Sequence, residues 1–462
     1  MCWERLSAWL ANLFGGSPSD ENDNGKDKEE PVNPTPDKRQ WTLMLYMAGD
    51  NGKEFPTAWG PEQIMAEMTS AGYKDLGELR AAGASEQVAV LVQFDTISET
   101  DLSYRFQIKG AGEEPEVLRI EETNCGDPAT LRDFIIWGME RCPAEKTLLV
   151  LWNHGGGWKE DDIWAAYRGL PRTPDRSRAM QKAKVRRSVF RKTAGEVLGI
   201  EDPETRWICA DDSSKDFLDN AELKRALAEA AAATGQRLSV IGMDACLMSM
   251  AEVAYQIRDQ AEIMVGSQEI EPMAGWPYTA ILSALTARPQ MTPQELSELI
   301  VQEYVRSYRP STRRVPEVTQ AAINLSQMEP LGGKLAAFVG ALQAALPDDI
   351  FAEVALNRAK QDAFRFDDPD YLDLHDLLEC FQRQYKGQDA AVLEATQALL
   401  DELTPPGPDR PILANVAQGK RYAQRAHGLS IYFPARGISQ FYDGLDFAVT
   451  GWGNLIRQVN RV

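Results

Sequence analysis

The chain has 462 residues, which is enough for two or three domains and for a core that needs no disulfide or metal to hold it. Its net charge of −20 argues against general binding to nucleic acid or anionic lipid, because the bulk field repels phosphate. The same charge favours a cationic partner. No apolar run approaches the roughly 20 residues that a membrane-spanning helix needs.

The N-terminal segment, residues 1–39, is predicted to comprise a helix and a flexible linker. Residues 1–14 carry apolar side chains at helical spacing, which indicates either a docking or membrane-surface helix, or a helix that folds onto the protein's own core or frays. Residues 15–39 are rich in Gly, Pro and charged residues and have the composition of a linker. Glu4 beside Arg5 makes a poor signal peptide, which predicts a cytoplasmic location with secretion as the alternative.

Residues 40–290 show short apolar runs that alternate with helical stretches such as 128–141 and 221–233. Near-continuous apolar strands of this kind are typical of a mostly parallel sheet covered by helices on both faces, an α/β fold. Ligands bind such sheets at the carboxyl ends of the strands. The predicted strands are 41–51, 87–95, 147–157, 237–246 and 261–269.

Residues 291–462 predict a C-terminal extension of helices and strands. Longer helical patterns replace the earlier alternation, and two apolar runs interrupt them. The predicted helices are 293–308, 328–346, 371–385 and 390–403, and the predicted strands are 319–326 and 427–434.

A strongly basic segment lies inside a predicted loop, 159–200. Between residues 168 and 192 there are ten basic residues and one acid, Asp175. An insertion of this length is usually functional or disordered. One hypothesis is that the segment is a cleavage loop, and the alternative is a solvated loop or a docking patch for an acidic partner. The basic residues are Arg168, Arg172, Arg176, Arg178, Lys182, Lys184, Arg186, Arg187, Arg191 and Lys192.

Two residues combine into a candidate catalytic pair. His154 ends an apolar strand and is followed by three glycines, which let a substrate approach the backbone closely. Cys246 also follows an apolar strand and stands at the start of an apparent helix, where a helix N-terminus would stabilise a thiolate. A Cys and a His at neighbouring strand ends are the arrangement of a cysteine nucleophile with its base.

The other cysteines and histidines are predicted to be structural. No two cysteines are spaced as CxxC, so neither a zinc site nor a thioredoxin motif is indicated. His375 and His427 do not lie at glycine-rich strand ends, which favours a structural role for both. The cysteines interpreted as inert core are Cys2, Cys125, Cys142, Cys209 and Cys380.

The motifs around the pair resemble the clostripain (C11) family of cysteine peptidases. They are NHGGGW around His154, DACLMSMAEVAYQI around Cys246 and SQEIEPMAGWPY after it, with YMAGDN and HGLSIYFP near the two ends. The resemblance covers about residues 40–460. It implies a caspase-like α/β fold, a His–Cys dyad, cleavage after Arg or Lys, and maturation by self-cleavage in a loop between the dyad residues.

Carried over residue by residue, the resemblance makes His154 the general base and acid and Cys246 the nucleophile. The backbone N–H groups of Gly155 and Cys246 would form the oxyanion hole. Asp244 matches the acid that recognises the basic P1 side chain of the substrate. A helix N-cap is the alternative role for Asp244, since Asp is common at strand–helix turns.

The resemblance also assigns residues that flank the substrate. These are Ser267, Gln268, Glu269 and Trp276. No cofactor is obligatory, but the acid pairs Asp211–Asp212 and Asp367–Asp368 could bind Ca²⁺, with a solvated loop cluster as the alternative.

The predicted function is therefore a cysteine endopeptidase with Arg or Lys at P1, activated by cleavage in the basic segment. Its partners would be polypeptide substrates and an activating protease. A catalytically silent adaptor and a Cys-dependent amidohydrolase that acts on small molecules are the alternatives. The intact His154, Asp244 and Cys246 disfavour the adaptor.

Overall fold

The computed structural model describes residues 38–50, 54–57, 60–96, 102–153, 155, 208–211, 216–309, 317–439 and 441–460. Residues Arg39–Val462 form one compact unit. The predicted N-terminal helix, the predicted linker as far as residue 37, the basic segment and His154 lie outside the described residues.

The described residues contain fifteen strands and eleven helices. In chain order the strands are β1 (Arg39–Gly49), β2 (Glu54–Thr57), β3 (Gly60–Ala66), β4 (Val88–Thr96), β5 (Leu102–Gln107), β6 (Glu116–Glu121), β7 (Ala144–Trp152), β8 (Ile208–Asp211), β9 (Asp216–Leu218), β10 (Leu238–Asp244), β11 (Ala261–Gly266), β12 (Val318–Asn324), β13 (Tyr371–Asp373), β14 (Ile412–Gln418) and β15 (Ser430–Tyr432). The helices are α1 (Glu67–Ala82), α2 (Pro128–Arg141), α3 (Asn220–Thr234), α4 (Ala251–Gln256), α5 (Tyr278–Ala287), α6 (Pro293–Ser307), α7 (Met328–Ala345), α8 (Ile350–Asp362), α9 (Leu374–Gln384), α10 (Ala390–Leu403) and α11 (Trp452–Val459).

Nine strands form one sheet, in the order β14-β12-β11-β10-β7-β1-β4-β5-β6. The five central strands, from β11 to β4, are parallel, and the two strands at each margin are antiparallel. Every residue of β4 and β10 is buried, which explains their continuous apolar sequences. The prediction of a mostly parallel sheet flanked by helices is confirmed.

The segment after residue 290 contributes two strands, β12 and β14, to this same sheet. The helix predicted over 371–385 begins later than expected, because Tyr371–Asp373 forms β13 and pairs with β15. Asp373 then caps α9, since its carboxylate accepts a hydrogen bond from the Asp376 backbone N–H at 2.8 Å. Helix α8 was not predicted.

Adjacent parallel strands bring the predicted site residues to one edge. β7 pairs with β10, and Trp152 lies opposite Asp244 in the register. The residues that follow these two strands therefore meet at the carboxyl edge of the sheet. Among the described helices, none is both long and apolar enough to cross a membrane.

Candidate active site

Cys246 lies in a tight turn that follows β10, and not at the start of a helix as predicted. Leu247 has a φ of +61°, outside the helical region, and the next helix, α4, begins only at Ala251. The Leu247 N–H donates to the carbonyl oxygen of Glu269, in the segment after β11, at 3.2 Å. Leu247 is therefore bonded to a neighbouring segment and not within a helix. Stabilisation of a Cys246 thiolate by a helix N-terminus is therefore ruled out.

The chain on either side of His154 contacts this turn. The Asn153 N–H donates to the Asp244 carbonyl oxygen at 3.3 Å. Gly155 is so close that a Cβ there would lie 2.5 Å from the Cys246 carbonyl oxygen and 2.8 Å from the Ala245 Cβ. Only glycine fits at this approach.

The Cys246 thiol is held in its neutral form. Burial raises its pKa to about 11, although the Glu271 backbone N–H, which donates to the Sγ at 3.2 Å, partly opposes this shift. A thiol with this pKa is almost entirely protonated at neutral pH, so it needs a base before it can act as a nucleophile.

The remaining described cysteines have a different setting. Cys125, Cys142, Cys209 and Cys380 are buried, whereas Cys246 is only partly buried. Burial raises the pKa of the Cys209 thiol, which suits inert core packing.

Asp244 is a buried carboxylate at the end of β10. It is 6% exposed, and its Oδ2 accepts hydrogen bonds from the Tyr278 hydroxyl at 2.7 Å and from the Trp276 backbone N–H at 3.2 Å. Burial raises its pKa. It does not cap the helix that follows, since the N-cap of α4 is Met250.

Two further carboxylates join Asp244, and sequence reasoning missed both. Burial, with the negative charge of Asp244 as the next contribution, holds the pKa of Glu271 and of Asp75 well above the usual range. The Trp152 indole N–H donates to Asp75 Oδ2 at 2.8 Å. Neither Asp244 nor Glu271 has an ion-pair partner in the part of the chain that the structure describes.

Gly275 keeps space open between these acids. Its φ is +62°, and a Cβ there would lie 3.2 Å from Asp244 Oδ2 and 3.4 Å from Asp75 Oδ2. The Tyr308 hydroxyl donates to the Gly275 carbonyl oxygen at 2.8 Å, and Lys74 Nζ donates to the Ala274 carbonyl oxygen at 3.2 Å. The loop that closes over the acids is thus tied to α1 and to the end of α6.

Trp276 forms part of the wall beneath this loop. It is 1% exposed, and a Cβ at Gly242 would lie 2.7 Å from its ring. Its backbone N–H holds Asp244, as described above.

The side chains of Ser267, Gln268 and Glu269 are engaged inside the protein. Ser267 Oγ lies 2.9 Å from Thr319 Oγ1, and Glu269 Oε2 accepts from the Tyr422 hydroxyl at 2.7 Å. Gln268 Nε2 donates to Asp373 Oδ2 at 3.0 Å, and its Oε1 accepts from the Gly428 N–H at 2.7 Å. These side chains hold the strand end in place.

Acidic groups that could hold a hard cation occur elsewhere. Oxygen atoms of Asp50, Asp95 and Glu122 lie within 4.8 Å of one another. In the pair predicted from sequence, Asp367 is exposed, whereas Asp368 is buried and accepts from the Asp370 N–H at 2.7 Å. The side chains of Asp211 and Asp212 lie outside the described residues.

The sequence model of the clostripain family matches residues 65–171 and 189–435. This chain belongs to the clostripain family. Clostripain of Hathewaya histolytica is 26% identical over 269 residues, which are 53% of this chain and 42% of that protein. The chain thus spans less than half the length of this curated relative.

Solved structures of two cysteine proteases share the fold. One is a secreted protease from Bacteroides thetaiotaomicron, bound to an irreversible peptide inhibitor, with a TM-score of 0.59 and 17% identity over 89% of this chain and 99% of that one. The other is an inactive zymogen from Parabacteroides distasonis, with a TM-score of 0.59 and 16% identity over 91% of this chain and 99% of that one. The prediction of a caspase-like α/β fold is confirmed.

Proposed function

We propose that this member of the clostripain family is a cysteine endopeptidase that cleaves after Arg or Lys, with Cys246 as nucleophile and His154 as its base. The observation that carries the proposal is the junction of β7 and β10. There the backbone of the partly buried Cys246 lies against Gly155, the residue that follows His154, and Cys246 follows the buried Asp244 by two residues. Family membership supports the same assignment.

The reaction would proceed through a thioester. His154 takes the proton from Cys246 Sγ, and the sulfur attacks the scissile carbonyl carbon. The backbone N–H groups of Gly155 and Cys246 receive the resulting oxyanion. The protonated His154 then gives its proton to the leaving amine, and water hydrolyses the acyl-enzyme in the second half of the cycle.

A pocket of three carboxylates would select the P1 side chain. The negative charge of Asp244 adds to burial in raising the pKa of Glu271 and of Asp75, and Gly275 keeps room between Asp244 and Asp75. Asp75 already pairs with Lys74 Nζ at 3.3 Å. A guanidinium or ammonium group placed in the pocket supplies a positive charge to Asp244 and Glu271, whereas a neutral side chain leaves these two acids uncompensated.

The test is a series of fluorogenic peptides that differ only at P1. Arg and Lys substrates should be cleaved, and citrulline, which keeps the shape of Arg without its charge, should be cleaved at least a hundredfold more slowly. This factor is about the size of one lost buried charge pair. Equal rates for Arg and citrulline would contradict the charge-reading pocket. Hydrolysis confined to small amides would support the amidohydrolase, and no hydrolysis of any substrate would support the adaptor.

The basic segment, 168–192, is the proposed activation site. It lies between His154 and Cys246 in the chain, so an acidic P1 pocket would meet it at high effective concentration. A basic side chain from the intact segment would occupy the Asp244 pocket and block it. One structural neighbour is itself an inactive zymogen.

Purified wild-type protein is expected to run as two fragments, cut after an Arg or Lys between residues 168 and 192. Cys246→Ala should stay whole until active enzyme is added. Replacing the ten basic residues with Ser or Gln should prevent the cut, and mass spectrometry of the fragments locates it. A fully active, uncut wild-type chain would refute this mechanism.

The proposed activity needs no obligatory cofactor. The candidate Ca²⁺ site is formed by Asp50, Asp95 and Glu122. The proposed partners are polypeptides with Arg or Lys at P1 and an activating protease. A cytoplasmic location stays a prediction, and the secreted alternative agrees with one structural neighbour.

A further inference from the structure

We propose that His375, Glu379 and His427 form a binding site for a divalent transition metal, with Zn²⁺ as the ion that suits them best. One potential ligand atom from each residue lies within 4.8 Å of the other two. The proposal does not depend on the peptidase activity, and none of the three residues takes part in that mechanism.

The fold brings these residues together from two distant parts of the chain. His375 and Glu379 are one helical turn apart on α9, so they share a face. His427 precedes β15, which pairs with β13 directly before α9 and places Ser430 opposite Asp373. The imidazole rings of His375 and His427 consequently lie 4.2 Å apart, centroid to centroid.

The coordinating atoms are available. His375 is 7% exposed, and its Nδ1 is buried without a hydrogen-bond partner among the described residues. A buried ring nitrogen in this state is unfavourable unless a ligand satisfies it. Glu379 Oε2 lies 4.0 Å from this nitrogen, which is too far for a hydrogen bond but leaves room for an ion between them.

Asp373 fixes the third ligand. Its Oδ1 lies 2.9 Å from His427 Nδ1, which leaves Nε2 as the ring nitrogen that can coordinate a metal. A carboxylate that orients a metal-binding imidazole in this way is the usual support of a zinc site. Asp373 is itself fully buried and is held by the Gln268 side chain and the His427 backbone N–H.

The ligand set selects the metal. Two imidazoles and one carboxylate suit Zn²⁺ and its neighbours in the first transition row, whereas Ca²⁺ and Mg²⁺ prefer sites made of oxygen. Bonds of about 2.0–2.1 Å in a tetrahedral site place ligand atoms about 3.3 Å apart, so the cluster must contract on binding. The Glu379 side chain is 50% exposed and can move inward, and the open side leaves a fourth position for water.

The experiment is a Zn²⁺ titration of the full chain by isothermal titration calorimetry, in a Cys246→Ala background. That background removes a competing thiol and self-cleavage. One equivalent of Zn²⁺ should bind, and Co²⁺ should give the visible absorption of a tetrahedral site. His375→Ala should abolish this binding, and Glu379→Gln should weaken it at least tenfold. Because Glu379 is half exposed, the Gln variant tests the site without disturbing the core.

The chain contains three histidines, so His154→Ala is a matched control that should bind Zn²⁺ unchanged. Bound Zn²⁺ should also raise the Tm of the background protein by more than it raises that of its Glu379→Gln derivative at the same concentration. Zn²⁺ binding that is equal in all variants, or no saturable binding in the background protein, would overturn the proposal.

Discussion

Replacing Cys246 with alanine is expected to reduce hydrolysis of an Arg peptide to the uncatalysed background. The fold should survive, because backbone hydrogen bonds from Leu247 N–H to Glu269 and from Ser249 N–H to Ser267 hold the turn, and the substitution removes only the hydrogen bonds that the sulfur makes with the Glu271 backbone. Without the sulfur no acyl-enzyme forms, so the loss should appear in kcat and persist at saturating substrate. Fluorogenic assays and circular dichroism on the same preparation measure both quantities.

His154→Ala should lower kcat/KM by about 10²–10⁴-fold at pH 7, the usual effect of losing a general base. Its remaining activity should rise with pH, because the Cys246 thiol, with a pKa of about 11, then ionises unaided. A rate profile over pH 6–10 checks this trend. Cys142→Ala, at a buried thiol beside the end of α2, is the matched control and should keep full activity. Activity that survives Cys246→Ala would disprove the assignment.

Neutralising the acidic pocket is expected to remove the preference for Arg and Lys. Asp244→Asn keeps the shape of the side chain and removes its charge. It should lower kcat/KM for an Arg substrate by about 2–5 kcal/mol, which is roughly 30-fold to several thousand-fold. Glu271→Gln should act in the same direction. The rate for a citrulline substrate should hardly change, so the ratio of Arg to citrulline is the quantity to measure.

Glu78→Gln is the matched control for these variants. Glu78 lies on α1, where its Oε1 is 3.2 Å from Lys74 Nζ, and it is partly exposed. Its loss should leave the ratio of Arg to citrulline unchanged. An unchanged ratio in both pocket variants would show that another acid recognises P1.

The same substitutions should stabilise the empty enzyme. Burial raises the pKa of Asp244 and of Glu271, so the folded state holds protons that the unfolded chain has already lost above pH 4. Stability therefore falls as pH rises through the folded-state pKa values. The Tm of Glu271→Gln, in a Cys246→Ala background, should exceed that of the background protein at pH 8, and the gap should narrow toward pH 4. A constant gap would show that these carboxyls titrate normally.

The central sheet could be predicted from the sequence because its strands are buried on both faces and read as continuous apolar runs. β10, with every residue buried, is the clearest case. The prediction that a helix starts at Cys246 is wrong, because Leu247 has a positive φ and the helix begins only at Ala251. The spacing of apolar residues along the sequence does not predict a positive φ at one residue.

The two acids that the sequence analysis missed, Glu271 and Asp75, differ in how far the local sequence could have identified them. Glu271 lies inside the SQEIEPMAGWPY motif, five residues after the end of β11, and could have been found by considering the second acid of that motif beside Glu269. Asp75 lies on α1, and its approach to Trp152 depends on how that helix packs, which the local sequence does not show. The neighbourhood of His375 and His427 was equally hidden, because it depends on the long-range pairing of β13 with β15.

The pairing of β7 with β10 has a consequence for any chain that is cut in the basic segment. The fragment ending in this segment keeps β7 and His154, and the other keeps β10 and Cys246, while Val240 to Asp244 stay hydrogen-bonded alongside Leu148 to Trp152. The mature protein would then be a heterodimer whose catalytic centre straddles the boundary between its subunits. Neither subunit alone holds the complete chemistry, and the stability of the cut form depends on protein concentration.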